Sequence, residues 1–420
     1  MKKKKILFVT TRLIYPVNDG RKVVLYNYCK GLSVQLQNEV SLFTFADDEE
    51  KSIKQPDFIK NIYYGNLPGK AEKLKNILFK SFILRKWPLQ VSVYYSKSAK
   101  KELLKVVEKY KPDIVICDMA RTAEYLKDLD DKKYVKILDM DDMLSKRYRR
   151  QAESLINGSD AIGAYSKKLP EFLRKFTNIS FLMKYVLNKE SKLLEKYEVE
   201  ASKYYKDIVF VSPIEAEEFN KKLGVNKSRT VTIGVDYDYF SEDLAKTKCE
   251  NKIVYLGNMN VAHNKDAVSN FVDNIFPYIL DKKPDTVLKV VGKCSDDYRD
   301  QFKNNKNIQV TGEVDDIRKE VSECAVSVAP LKYGTGIKTK ILETMAMGVP
   351  VVTNSIGNEG LALESHKHII VEDDNKKMAN EIVELLSNAH MREQLSKESK
   401  KYIKDNHKWE NIMKEFDKIL

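Results

Sequence analysis

Short apolar runs, each bounded by polar residues and followed by a stretch long enough for a helix, recur along the whole chain and restrict its fold more than any other feature. The first series occupies residues 6–9, 39–45, 114–117, 135–138 and 208–211. Residues 6–9 lead into a turn rich in Pro16, Asn18, Asp19 and Gly20, then into a helical pattern over 21–34. Runs of this kind fit strands buried on both faces, the condition of a parallel sheet covered by its crossover helices. A second series begins at 253–256 before Gly257. It continues through 287–291 before Gly292, 308–310 before Thr311 and Gly312, then 326–329 and 349–352. The same arrangement occurs twice.

Two such units predict an α/β chain of two Rossmann-like, doubly wound domains facing across a cleft, with ligands outside the carboxyl ends of the strands. The length agrees, because 420 residues exceed one ordinary core. Residues 239–251 are polar and lack a strong period. They read as a linker between a first domain over 1–238 and a second that begins at 252.

Charge separates the halves. Residues 1–200 hold 40 Lys and Arg against 26 Asp and Glu, whereas 201–420 hold 33 against 35. A uniformly basic nucleic-acid binder would not confine its surplus to one half, and neither an RNP-type aromatic signature nor C2H2 spacing is present, so no nucleic-acid partner is expected. The basic half is expected to face something anionic, such as phospholipid headgroups or a pyrophosphate-linked acceptor; a Lys-rich solvated surface is the alternative. Residues 66–110 carry 11 basic and 3 acidic side chains around Ile77, Leu78, Phe79, Phe82, Ile83, Leu84 and Trp87, and 169–187 mix aromatic and basic residues similarly. Each stretch fits either a membrane interface or a helix packed on its domain.

The five cysteines, Cys29, Cys117, Cys249, Cys294 and Cys324, are odd in number and widely spaced, which suits a reducing cytosol. The basic start resembles a signal peptide, but its apolar run covers only residues 6–9 and reads as a first buried strand. No uncharged apolar stretch reaches the roughly 18 to 20 residues that span a bilayer, so membrane contact would be peripheral.

The sharpest chemical segment runs from Ala329 to Val352. A strand ending in Ala329-Pro330-Leu331 meets a loop with Gly334 and Gly336, then a helix with Ile337, Ile341, Leu342 and Met345 at core spacing. Small residues admit a ligand close to the backbone, and the helix start offers free N–H groups with a positive dipole end. Lys338 and Lys340 are placed to add charge, and Glu343 could accept from a sugar hydroxyl. The third glycine of G-x-G-x-x-G is missing and no P-loop occurs, which weakens dehydrogenase and NTPase readings.

With that segment in view, the chain resembles the family 4 retaining glycosyltransferases of the GT-B fold, and especially the exopolysaccharide-locus sugar transferases. The resemblance lies in residues 6–16 with 18–21, 88–95, 189–198, 211–219, 257–260 with 264–268, 311–318, 334–350 and 357–361. It implies that the first domain binds the acceptor and the second a nucleotide sugar of UDP or GDP type. Gly257 would be a donor-binding residue, and Val314 with Asp315 would lie beside the base. The Gly336 helix start with Lys338 and Lys340 would hold the diphosphate and Glu343 the ribose hydroxyls, with Gly334, Thr335 and Ile337 also among the donor-binding residues. Residues 403–420, with His407, Trp409, Ile412 and Phe416, resemble the helix that crosses back to the first domain.

Two departures stand out. Many members carry Glu where this chain has Thr335, which bears on the donor-sugar contacts, and the usual Asn-Gly-Val-Asp reads Ile233-Gly234-Val235-Asp236.

The transition state is oxocarbenium-like, so the departing nucleoside diphosphate must be stabilised and an acceptor hydroxyl positioned. Lys338 and Lys340 with the helix dipole could do the first without a metal or cofactor, although Asp139-Met140-Asp141-Asp142 imitates a metal-binding pair. Asp139, Asp141 and Asp142 follow a strand and are read either as cleft-facing or as a helix cap plus solvated charge. Asp141 stands where many relatives have a His near the reacting sugar, which makes it the candidate for orienting the acceptor hydroxyl or the donor sugar. Gly20 and Arg21 open the first helix beside the expected cleft, and Arg147, Arg149 and Arg150 could meet an acceptor pyrophosphate. All five His residues fall after residue 262, which excludes a His general base from the first domain. The expected protein is a retaining hexosyltransferase at the inner face of the cytoplasmic membrane, acting on a lipid-linked glycan in capsule, exopolysaccharide or O-antigen synthesis. A sugar-nucleotide 2-epimerase and a degenerate donor-binding scaffold subunit are the alternatives.

Overall fold

The computed structural model describes residues 3–420 except 18, 155–178, 243, 245–248, 335 and 362. Two sheets are present among the described residues, and every strand pairing in them is parallel. The first contains β1 (Lys5–Val9), β2 (Glu39–Thr44), β3 (Ile62–Tyr64), β4 (Ile114–Asp118), β5 (Val135–Asp141), β6 (Asp207–Phe210) and β7 (Ser228–Thr230). Its order is β3-β2-β1-β4-β5-β6-β7. The second contains β8 (Cys249–Leu256), β9 (Val287–Val291), β10 (Ile308–Gly312), β11 (Cys324–Ala329), β12 (Val351–Thr353) and β13 (Ile370–Val371), in the order β10-β9-β8-β11-β12-β13. Both are Rossmann-like.

Inner strands are mostly apolar because helices cover both faces of each sheet, with Lys136 of β5 and Lys289 of β9 as buried exceptions. All five residues of β4 are buried, and Leu7, Val9, Val115 and Leu138 share one core, while Ile253, Tyr255, Leu288 and Val290 share another. The chain reverses its direction of travel across each sheet between β1 and β4, and again between β8 and β11. At such a switch point the loops leaving neighbouring strands diverge to opposite faces and open a crevice.

The helix expected at 21–34 is present as Gly20–Lys30, continued by a wider π-type turn over Gly31–Gln35. Asp19 caps it, its Oδ1 accepting from the Lys22 N–H at 2.9 Å.

The chain divides into two compact units. One holds residues 1–149, 186–234 and 409–420, and the other holds 235–408 with the described residues between 150 and 185. These boundaries differ from those read in the sequence. A short helix, Tyr237–Phe240, belongs to the second unit, where Arg318 stacks 3.7 Å from the Tyr239 ring and donates to its carbonyl at 2.9 Å. The helix Ala389–Asn406 runs past residue 402, and a separate helix, Trp409–Asp417, joins the first unit. There Trp409 and Phe416 meet Tyr28 edge-on, with centroids at 6.1 and 4.9 Å.

Gly234 lies under Trp409, and a Cβ added to it would fall 2.4 Å from the indole. Gly234→Ala is expected to lower stability by about 1–3 kcal/mol in urea unfolding, the usual effect of overpacking. Combined with Trp409→Ala it should cost nothing beyond Trp409→Ala alone.

Candidate functional site

In the first unit, the switch point brings together one guanidinium and three carboxylates. Arg21 is the second residue of its helix, directly after the turn that leaves β1, and its side chain is 8% exposed. Its Nε and Nη2 donate to Asp118 Oδ1 at 2.9 and 2.8 Å, Nη2 to Asp139 Oδ2 at 2.7 Å, and Nη1 to Asp141 Oδ1 at 3.0 Å. Only a guanidinium has enough fixed N–H donors to meet three acids at once.

The acids arrive on neighbouring strand ends. Asp118 closes β4, while Asp139 and Asp141 lie two apart on β5, where a register shift between them lets both reach Arg21. Asp141 adopts φ 64°, a left-handed conformation that Asp tolerates better than most residues. Its N–H donates to Asp139 Oδ1 at 3.1 Å. Burial pushes the Asp139 carboxyl above its ordinary range, with Arg21 opposing. Burial likewise raises Asp141 to about 6, against Arg21 and with help from Asp142.

Asp142 is also buried and takes Arg147, whose Nε and Nη2 reach its Oδ2 at 2.8 and 2.6 Å. Solvated charge is therefore not the state of these acids. Arg147 meets Asp142, where a pyrophosphate contact was anticipated. Among the described residues no group of His, Cys, Asp and Glu is arranged to hold a metal ion, and the Asp139-Met140-Asp141-Asp142 run carries arginines.

The second unit places a cation at its own switch point with the opposite imbalance. After β11, the loop holds Gly334 at φ 148° and Gly336 at φ 68°, backbone that glycine adopts readily, and leads into the helix Thr339–Ala346. Lys338 is the N-cap residue of that helix, and its Nζ donates to the Gly336 carbonyl at 2.7 Å. Lys340 folds inward. Its Nζ donates to Tyr255 Oη at 2.7 Å and Asn264 Oδ1 at 2.9 Å and lies 4.3 Å from the centre of the Tyr255 ring.

These partners of Lys340 are neutral, so burial lowers its pKa to about 7, and Lys338 adds to the fall. Glu343, one turn further, is raised to about 7 by burial against the pull of Lys340. Beside this helix the carboxyl ends of the strands crowd together. A Cβ on Gly292, at φ 131°, would lie 2.2 Å from the Gly257 carbonyl oxygen.

The expected residues thus separate into two constellations. Gly257, Gly334, Gly336, Ile337, Lys338, Lys340 and Glu343 belong to the strand ends and the helix start in the second unit, where Ile337 is buried. Val314 packs partly into the core and Asp315 is exposed, both just after β10. Thr335 lies outside the described residues. Gly20 begins the first helix with open space where a Cβ would be, so packing makes no demand for glycine there. Sequence reading missed Asp118, although the pattern of a strand ending in Asp, used for Asp139, was present. It also missed Tyr255 and Asn264 as partners of Lys340, which no local spacing signals.

Removing Arg21 would leave buried acids without their cation, and Arg21→Met is expected to cost about 3–5 kcal/mol in urea unfolding. Lys340 gives a pH signature. Its folded pKa of about 7 lies below that of an unfolded lysine, so the unfolded chain binds the extra proton and stability rises with pH above about 7. In Lys340→Met that rise should be lost when unfolding is compared between about pH 7 and pH 9.

Residues 250–388 match the family model described as glycosyl transferases group 1. Over 415 residues the chain is 21% identical to an uncharacterised 44.6 kDa protein in the cps region of Klebsiella pneumoniae, with 96% of each chain covered. TarM of S. aureus aligns with a TM-score of 0.68 at 12% identity, covering 99% of this chain and 98% of that one. Anabaena HepE, solved in complex with UDP, aligns with a TM-score of 0.62 at 12% identity over 99% of both chains. Residues 250–388 thus carry a match to the group 1 glycosyltransferase family model, and the two parallel-sheet units share the GT-B fold of these solved structures.

Proposed function

We propose that the protein is a retaining glycosyltransferase that moves a sugar from a nucleoside diphosphate of UDP or GDP type to a lipid-linked glycan in surface polysaccharide synthesis, at the inner face of the cytoplasmic membrane. The observation that carries this reading is Lys340, a cation with neutral partners at the glycine-rich start of a helix, with Lys338 beside it. A diphosphate there would gain both ammonium groups and the helix N–H groups, and these are strongest when the leaving group acquires charge. The reading therefore needs no metal. Glu343 is assigned to the ribose hydroxyls, Val314 and Asp315 to the base, and Gly257 to the donor site.

On the acceptor side, Asp141 is the reactive candidate, because its side chain is 17% exposed whereas Asp118 and Asp139 are sealed. Its raised pKa suits a group that holds an acceptor hydroxyl or the donor sugar. Asp118, Asp139 and Arg21 act as positioning residues for it. The cps-region relative and the UDP complex of HepE support a polysaccharide setting and a nucleotide donor.

The test is thermal stabilisation by UDP, GDP, ADP, CMP and a short RNA in EDTA buffer, with transfer assayed in parallel. One nucleoside diphosphate should raise the melting temperature. Lys340→Ala and Glu343→Ala should each weaken it by about 10- to 100-fold, the usual effect of losing a charged hydrogen bond. Stabilisation by RNA alone, or by none of them, overturns the donor assignment. Turnover of the sugar nucleotide without acceptor would indicate a 2-epimerase, and binding without transfer to any acceptor a scaffold subunit.

A further inference from the structure

Residues 70–86 form an amphipathic segment mounted with its apolar side outward. A helix, Lys70–Lys75, continues as wider π-type turns over Asn76–Ile83. Its attachment to the first unit includes a set of polar bonds. Asn76 Nδ2 donates to the carbonyls of Ser92 and Tyr95 at 3.3 and 3.0 Å, Ser81 and Ser92 share a hydroxyl hydrogen bond of 2.8 Å, and Glu72 Oε1 accepts the Lys97 N–H at 2.9 Å. Those bonds set the rotation of the segment about its axis. The outward side then carries Leu74, Leu78, Phe79, Phe82, Ile83 and Leu84, with Phe82 and Ile83 still 62% and 65% exposed.

An apolar patch of this kind on a charged domain marks a docking surface. Its surroundings identify the occupant. Lys70, Lys73, Lys75, Lys80, Arg85 and Lys86 lie within the segment, and its one acid, Glu72, points inward to the Lys97 N–H. Two copies of this cationic surface would repel each other if they met face to face, whereas an anionic lipid surface would attract the cations and bury the aromatic side chains. Among the described residues no helix is long and apolar enough to cross a membrane, so attachment through this segment would be interfacial.

We propose that residues 74–84, rimmed by these cations, are the surface through which the protein binds an anionic phospholipid membrane. The assignment deepens the lipid-linked acceptor reading and rests on it for its purpose, since such an acceptor resides in a membrane. Phe79 and Phe82 enter the acyl boundary, and Lys75 and Lys86 stay at the level of the phosphates.

The test is flotation of the full chain with vesicles of phosphatidylcholine alone, or with about one third phosphatidylglycerol, at low and high salt. The vesicles contain no glycan acceptor, so binding is read apart from transfer. The wild type should float with the anionic vesicles and be released by salt. Phe79→Asp with Phe82→Asp, and separately Lys75→Glu with Lys86→Glu, should each reduce the bound fraction by about tenfold or more. Nucleoside-diphosphate stabilisation should persist in both, which shows that they fold. Flotation unchanged in both variants, or equal on neutral and anionic vesicles, would falsify the surface. A wild-type dimer in light scattering that becomes monomeric with Phe79→Asp and Phe82→Asp would reassign it to self-association. Flotation without any nucleotide response would instead overturn the donor reading and leave the surface standing.

Discussion

Parallel strands force every connection to travel the length of the sheet, and both units are organised by that constraint. Crossover helices must cover the two faces, so the inner strands are predominantly apolar. Polar chemistry is pushed to the loops at the carboxyl ends, where β4 and β5 deliver Asp118, Asp139 and Asp141 and where β8 and β11 lead into Gly257 and the Gly334–Gly336 loop. The order of strands then selects one place among those ends. Arg21 and Asp118 follow the two strands that flank the first switch point, and the loop and helix bearing Lys340 follow one of the two that flank the second.

The two sites use buried charge in opposite ways. At the first, an arginine is surrounded by three acids, and burial, with the neighbouring carboxylates adding to it, raises the pKa values of Asp139 and Asp141 against the pull of Arg21. The arrangement is complete within the protein and holds the geometry of Asp141. At the second, Lys340 meets only neutral oxygen atoms and a ring face, so burial lowers its pKa. Such a lysine has the most to gain from an incoming anion, which would restore its charge. An acid cluster held by an arginine, and a buried lysine bonded to neutral groups with Glu343 one turn away, suit the proposed acceptor and leaving-group sides.

Much of this was legible in sequence. Each inner strand read from its apolar run is present, because burial on both faces favours hydrophobic residues strongly enough to mark the run even where Lys136 or Lys289 interrupts it. The edge strands β3, β7 and β13 were not recognised; they are two or three residues long, and β7 reads Ser228-Arg229-Thr230. An edge strand needs few apolar side chains, so little marks it. The helix bearing Lys338, Lys340 and Glu343 was legible from its glycines and its apolar spacing. The inward fold of Lys340 was not, since Tyr255 lies 85 residues earlier on another strand.

The amino-acid sequence alone determined that the chain would build two parallel sheets, that a glycine-rich helix start would close one strand of the second, and that its basic surplus would lie in the first half. Those properties follow from local periodicity and composition. Only the tertiary structure decided which strands became neighbours, and hence that Asp118, Asp139 and Asp141 would converge on Arg21 across 97 to 120 residues of sequence. It also decided that the segment 70–86 would turn its polar side inward through Asn76 and Ser81. Charge pairing and the direction of an amphipathic face depend on what lies opposite, and a one-dimensional pattern does not contain that information.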